Sequence, residues 1–371
     1  MMKLSSITVE NFRCFEKLIL DLHPELTVLI APNGAGKTTM LDAARIAVWP
    51  FVKAFDLSGQ VGKSATIQTE DVRMVPHPKS IMEPVMPSKV IATGTWFDNG
   101  PKETWVQTRK KIKRGTNTLY DSESRKLIKF GETLQNQVRD LESKIPVNLP
   151  LMAYFGSGRL WYQGRHSSIA KDKMLDRGTF SRTWGYRNCI SATSNYKQFE
   201  EWYAWVYRSY WEEQISHNEK GTPLGPEGQG FLNAITVIKN AVNEIVEKET
   251  GWKDIAYSAS LQQQLVLSHP KDGKIPLSLL SDGLRNSIVT AADIAFRCIK
   301  LNPHFGIKAA QKTSGIVMID EVDMFLHPAW QQTIIPSFQR AFPKIQFIMT
   351  THSPSGTIYS KKRMYPDFER W

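Results

Sequence analysis

The stretch IVMIDEVDMFLHP, Ile316 to Pro328, decides the fold. Ile316 to Ile319 are four apolar residues that read as a buried strand, with Asp320 and Glu321 emerging at its end. One carboxylate there can hold Mg²⁺ through water and a second can polarise an attacking water, which is how a nucleotide hydrolase is built. By itself an apolar run ending in Asp-Glu is common in α/β proteins. A phosphate loop near the start of the chain and a THS loop downstream make the reading specific.

The phosphate loop follows LTVLI, residues 26 to 30, a β-prone apolar run. APNGAGKTT (Ala31 to Thr39) comes next, and MLDAARIAVW then reads as a helix. This strand–loop–helix order is the context a Walker A match requires. Gly34 and Gly36 let the backbone curl so that N–H groups of Asn33 to Thr39, Ala35 among them, face phosphate oxygens, and the helix beginning near Lys37 adds its positive end. Lys37 is expected to reach the β- and γ-phosphates, and the Thr38 hydroxyl to ligate Mg²⁺. Ala31 stands where the pattern has glycine; if that position needed a positive φ, alanine would cost about 1 kcal/mol.

Two further motifs complete the expected site. LSDGLRNSI, Leu280 to Ile288, follows a polar loop and opens an apolar helix. Ser281 and Gly283 can present a hydroxyl and a backbone N–H to a γ-phosphate, with Asp282 read as an N-cap. QFIMTTHSP, Gln346 to Pro354, is another apolar strand ending in polar residues, and His352 is expected beside the γ-phosphate.

NGAGKTT, LSDGLR, MIDEVDMFLHP and TTHSP occur in the order found in ABC-type ATPases of the SMC/RecF/OLD group, which this chain resembles over nearly its whole length. The opening ITVENFRCFEKLILDL resembles that group's first strands. LPLMAYFGSGRLW, SRTWGYRNCI and YKQFEEWY are similar to PtuA-like ATPases of Septu and retron-associated antiphage systems. The resemblance implies an ABC/SMC-head-like P-loop NTPase fold of the α/β class, with an antiparallel β lobe and an inserted short helical arm. It also implies ATP and Mg²⁺ as cofactors and a dimer of heads with ATP sandwiched between them. Lys37, Thr38, Asp320 and Glu321 would then act in cis, with Ser281, Asp282 and Gly283 facing the partner's nucleotide. His352 corresponds to the switch histidine and Asp323 to the loop that speaks across the dimer. Arg13 is expected near the nucleotide, and Gln163, with Gln68 as rival, is the Q-loop candidate. The implied partners are an HNH-type nuclease and a retron reverse transcriptase with its msDNA.

The rest of the chain fits around these motifs. Four stretches are expected: 1–50 with Walker A, 51–155 as a β-rich lobe and helix, 156–275 as the helical arm, and 276–371 with the remaining motifs. KVIATGTWF, a DNGP turn and KETWVQTRKKI read as a hairpin, and 123–144 as an exposed helix. Asn195 to Ile215 is aromatic-rich at helical spacing, a linker follows at 218–230, and a second amphipathic helix starts at Phe231. Trp202, Trp205, Tyr207, Tyr210 and Trp211 are expected to pack inside the arm. The net charge of +11 points to a polyanionic partner, nucleic acid first, and Arg109 to Arg114 is the densest basic run. Arg159, in the GSGR loop, would contact nucleotide or DNA, or form a structural salt bridge.

Three scattered cysteines, no apolar leader and no long apolar run imply a reduced, cytoplasmic chain. The tail at 355–371 is short and basic where related ATPases continue with helices, so it reads as a truncation or altered frame, and it leaves no room for a Toprim domain. A RecF- or SMC-type repair ATPase without a nuclease partner is the alternative reading, and the lack of long heptads argues against it. A transporter subunit would carry an LSGGQ-like sequence instead of LSDGLR.

Overall fold

The computed structural model describes residues 2–59, 65–98, 100–113, 118–142, 145–160, 177–191 and 196–352. Strands β1 (Lys3–Phe12) and β2 (Phe15–Asp21) form an antiparallel pair, and β3 (Leu26–Ile30) leads into α1 (Lys37–Val52). A small hairpin, β4 (Met74–His77) and β5 (Ser80–Pro84), precedes β6 (Ser88–Thr95), β7 (Glu103–Arg109) and β8 (Leu119–Tyr120). Next come α2 (Ser122–Arg139) and β9 (Leu151–Phe155), then α3 (Tyr196–Lys220) and α4 (Pro226–Thr250). Strands β10 (Lys253–Ser258), β11 (Gln264–His269) and β12 (Gly273–Pro276) separate them from α5 (Asp282–Leu301) and α6 (Ala309–Lys312). The last elements are β13 (Gly315–Ile319), α7 (Pro328–Gln331), α8 (Ile334–Ala341) and β14 (Ile345–Thr351).

The site is built on a parallel sheet ordered β3-β14-β13-β9. Every residue of β13 and β14 is buried, as continuous apolar runs in a parallel sheet require. In register, Ile319 faces both Met349 and Phe155, and Ile30 faces Thr351. The loops after β3, β13 and β14 therefore leave the sheet along one carboxyl edge, where open α/β sheets bind ligands.

A second sheet, β2-β1-β6-β7-β8, is the antiparallel lobe. It draws β1 and β2 from within residues 1–50 and the rest from beyond, so the lobe joins both stretches in space. Helix α1 is buried on nearly all sides between the two sheets. From β7, the Trp105 indole donates to the Ala47 carbonyl (2.8 Å) and the Gln107 amide donates to that of Ile46. The fully buried Gln346 amide ties the sheets together. Its oxygen accepts from the Leu4 N–H (2.9 Å), and its nitrogen donates to the carbonyls of Leu4 (2.7 Å) and His23 (2.9 Å).

The helical arm differs in detail from expectation. Helix α4 begins at Pro226, inside the expected linker, because Gly225 and Pro226 supply an N-terminal start. The three-stranded sheet β10–β12 occupies residues expected to be arm and polar loop. The aromatic stripe divides: Trp202 is buried 4.6 Å from Phe296 of α5, Trp205 meets Phe231 edge-on, and Trp211 remains half exposed. Trp211 lines an open cavity of about 760 Å³ with Tyr207, Ile215 and Tyr257, away from the phosphate loop.

Arg109 is not part of a solvated basic run. It alternates inward with Trp105 and Gln107, is buried, and donates to the Ile67 carbonyl (3.0 Å), whereas Lys110, Lys111 and Lys113 are exposed. Cys14 is exposed, Cys189 and Cys298 are buried, and all three are free thiols. Among the described residues no helix is long and apolar enough to cross a membrane.

Candidate nucleotide site

The phosphate loop takes the shape its glycines allow. Gly34 (φ 81°) and Gly36 (φ 89°) lie in the left-handed region. Ala31 does not, so the strain considered for alanine is absent. A Cβ on Gly36 would sit 2.4 Å from the Phe15 ring and 3.0 Å from the Cys14 sulfur, because the β1–β2 turn presses on the loop. Helix α1 starts at Lys37 with Gly36 as N-cap, no side-chain cap and no acidic residue in its first turn. Its opening N–H groups are left for an anion. Asn33 is exposed, the Ala35 N–H donates to the Pro32 carbonyl (3.3 Å), and Thr39 is buried.

Lys37 folds back over this loop. Its ammonium donates to the carbonyls of Ala31 (2.5 Å) and Pro32 (3.1 Å) and lies 3.4 Å from His352 Nδ1. Burial lowers its pKa from the ordinary lysine value, and Glu321, Asp320 and Asp323 partly offset that. An ammonium only donates, so this contact is a hydrogen bond in the tautomer whose ring proton is on Nε2. That nitrogen is 3.4 Å from Glu321 Oε1. Lys37, His352 and Glu321 thus form one polar chain across three loops.

Asp320 is fully buried at the end of β13. The Thr38 hydroxyl lies 3.2 and 3.0 Å from its two oxygens, and the Thr350 hydroxyl donates to Oδ1 at 2.7 Å. Hydroxyl and carboxylate oxygens are the hard donors that Mg²⁺ prefers. Among the described residues no cluster of three or more His, Cys, Asp or Glu could hold a metal unaided. The pair therefore suits an ion that takes its other ligands from phosphate and water, which is the Mg²⁺ pattern.

Some expected site residues are placed differently. Arg13 is held in a double ion pair, 2.7 Å from Asp42 of α1 and 2.9 Å from Asp71. Burial opposes its charge, but those carboxylates outweigh it and raise its pKa. Asp323 is buried and accepts from the Thr351 hydroxyl (2.6 Å), so in this chain its carboxylate points inward. Ser281, not Asp282, is the N-cap of α5; its hydroxyl makes no capping bond, and Asp282 pairs with Arg285 (2.5 Å). Ser281 and Asp282 are exposed, while Gly283 is packed so tightly that a Cβ would lie 2.3 Å from the Phe325 carbonyl oxygen. The Gln68 amide bonds to Thr66 (2.7 Å to its hydroxyl). Gln163 lies outside the described residues, as do residues 353–371 and the side chain of Arg159. Sequence reasoning missed Thr350, Asp42 and Asp71, and the only sequence cue was Thr350 two places before His352.

A model described as "AAA domain" matches residues 6–263, more than half of the chain. The chain belongs to the AAA-domain family. A second model, described as "AAA domain, putative AbiEii toxin, Type IV TA system", matches residues 175–355. This AAA-domain protein is 24% identical over 378 residues to the retron Vc95 probable ATPase of Vibrio cholerae, covering 95% of this chain and 70% of that relative. It is 22% identical over 372 residues to the Septu protein PtuA of Bacillus thuringiensis, covering 95% and 72%. The Vibrio cholerae relative is described as a probable ATPase. The fold matches the SMC head domain from Pyrococcus furiosus with a TM-score of 0.52, at 14% identity and covering 96% of this chain and 92% of that one.

Proposed function

We propose that this chain binds and hydrolyses ATP with Mg²⁺ as a dimeric head, and that it serves as the ATPase component of an antiphage defence complex. The observation carrying the chemistry is the convergence of Lys37 and Thr38 with Asp320, Glu321 and His352, from three separate loops, on one sheet edge. In this reading the N–H groups of residues 33–39 cradle the phosphates, that of Ala35 giving up the Pro32 carbonyl to do so. Lys37 leaves the Ala31 and Pro32 carbonyls for the β- and γ-phosphates, so the loop exchanges an internal cation contact for the substrate. Thr38 and Asp320 would hold Mg²⁺, which supplies charge neutralisation on the phosphate oxygens. Glu321 orients the attacking water and takes its proton, and His352 holds Glu321 on one side and Lys37 on the other.

The exposed Ser281 and Asp282, at the N-terminus of α5, would close the site of a second head. Gly283 permits this by allowing α5 to sit against the 323–326 turn. Arg13, Gln163 and Asp323 keep proposed roles beside the nucleotide and across the dimer. Arg13 must exchange at least one of its carboxylates to take part. Similarity over 95% of the chain to retron and Septu ATPases supports the defence role, with an HNH nuclease and a retron reverse transcriptase as partners by that analogy. The net charge of +11 favours a nucleic acid in the complex.

Glu321→Gln tests the assignment. It should bind ATP and fail to hydrolyse it, and an ATP-dependent dimer should accumulate on size exclusion. A variant that hydrolyses at the wild-type rate would refute the role of Glu321, and one that stays monomeric with ATP would refute closure by a second head.

A further inference from the structure

We infer that Thr350 is a positioning residue that fixes Asp320 and Glu321 for the metal-assisted reaction; this rests on the ATPase reading of the same site. Strands β13 and β14 are parallel neighbours with Ile319 opposite Met349, so Asp320 and Thr350 are the next residues along each strand. Thr350 is completely buried. Its hydroxyl donates to Asp320 Oδ1 (2.7 Å) and accepts from the Glu321 N–H (2.7 Å), and its carbonyl accepts from the Val322 N–H (3.0 Å).

A hydroxyl has one proton. Here it goes to Asp320, which leaves a lone pair aimed at the Glu321 amide. One oxygen atom thereby sets two things at once. It fixes the carboxylate plane that Thr38 also contacts, and it holds the start of the turn that carries Glu321. Glu321 has φ 48°, a left-handed conformation that a residue with a side chain keeps only when its surroundings hold it. The neighbouring Thr351 is used differently, donating to Asp323 (2.6 Å), so the two threonines are not interchangeable. Outer groups that orient metal-binding carboxylates typically change metal affinity by about 10- to 100-fold when lost.

The test compares Thr350→Val, which keeps shape and loses the hydroxyl, with Thr350→Ser, which keeps the hydroxyl. Binding of a non-hydrolysable ATP analogue is measured by calorimetry in EDTA and across a Mg²⁺ series, with thermal unfolding of each protein alongside. The valine variant should bind the analogue in EDTA within about twofold of wild type, and its Mg²⁺ requirement should rise about 10- to 100-fold. The serine variant should stay within about threefold of wild type. If valine folds poorly, Thr350→Ala, measured below its own unfolding temperature, replaces it. A folded valine or alanine variant with the wild-type Mg²⁺ dependence would overturn the inference and leave the ATPase reading standing. So would equal losses in EDTA and in Mg²⁺. Wild-type protein whose analogue binding ignores Mg²⁺ would overturn the reading itself.

Discussion

Replacing Lys37 with methionine separates a nucleotide-binding role from a structural one, because the two predict opposite patterns. The Lys37 ammonium is buried and donates to two loop carbonyls, at 2.5 and 3.1 Å. Methionine gives up those bonds but also relieves the burial of a charge, which lowers the pKa of this lysine. These effects oppose each other, so the stability change should stay within about 1 kcal/mol, or a few degrees in Tm. Nucleotide affinity behaves differently. A charge-assisted contact to phosphate is worth about 3 kcal/mol, roughly a 150-fold rise in Kd when lost. Calorimetric titration with a non-hydrolysable ATP analogue in Mg²⁺ measures the second quantity, and scanning calorimetry without nucleotide measures the first. Binding within threefold of wild type would refute the phosphate role. A Tm that collapses without nucleotide would show that Lys37 chiefly holds the loop together.

Gly283→Ala should lose about 1–3 kcal/mol, since its Cβ would lie 2.3 Å from a backbone oxygen of Phe325; an unchanged Tm would show that α5 does not pack there. Lys300 gives a pH test. Burial pushes its pKa from 10.5 down to about 8, so below pH 8 the folded chain carries a penalised charge, and between about 8 and 10.5 the folded side chain is neutral while the unfolded one stays charged. Stability therefore rises with pH across that window. Lys300→Met should be more stable than wild type at pH 7 by about 3 kcal/mol, and the gap should close towards pH 10; a constant gap in denaturant melts across this range would show that burial of this charge does not set the stability.

The parallel sheet and the loops of the candidate site were legible because their information is local. LTVLI and GIVMI are apolar runs ended by loop residues, and they became β3 and β13 with the carboxylates and glycines at their ends. What stayed hidden depends on partners far apart in the chain. The pairing of Arg13 with Asp42 and Asp71, and the bonding of Gln346 to Leu4, join residues that no motif links. Arg109 was misplaced because it was grouped with the basic residues that follow it, although the strand period already directed it inward with Trp105 and Gln107. The β10–β12 sheet escaped because only its middle strand is well buried, so its strands do not stand out as apolar runs. At the start of α5 the capping rule was applied one residue late, to Asp282 instead of Ser281.

If the loops after β3, β13 and β14 share one triphosphate, a structure of the chain with Mg²⁺ and a non-hydrolysable ATP analogue will show it. Lys37 should be released from the Ala31 and Pro32 carbonyls onto the phosphates, with Thr38 and Asp320 at the metal and Glu321 facing the γ-phosphate. An analogue bound elsewhere, with the Lys37 and Thr38 contacts unchanged, would contradict it.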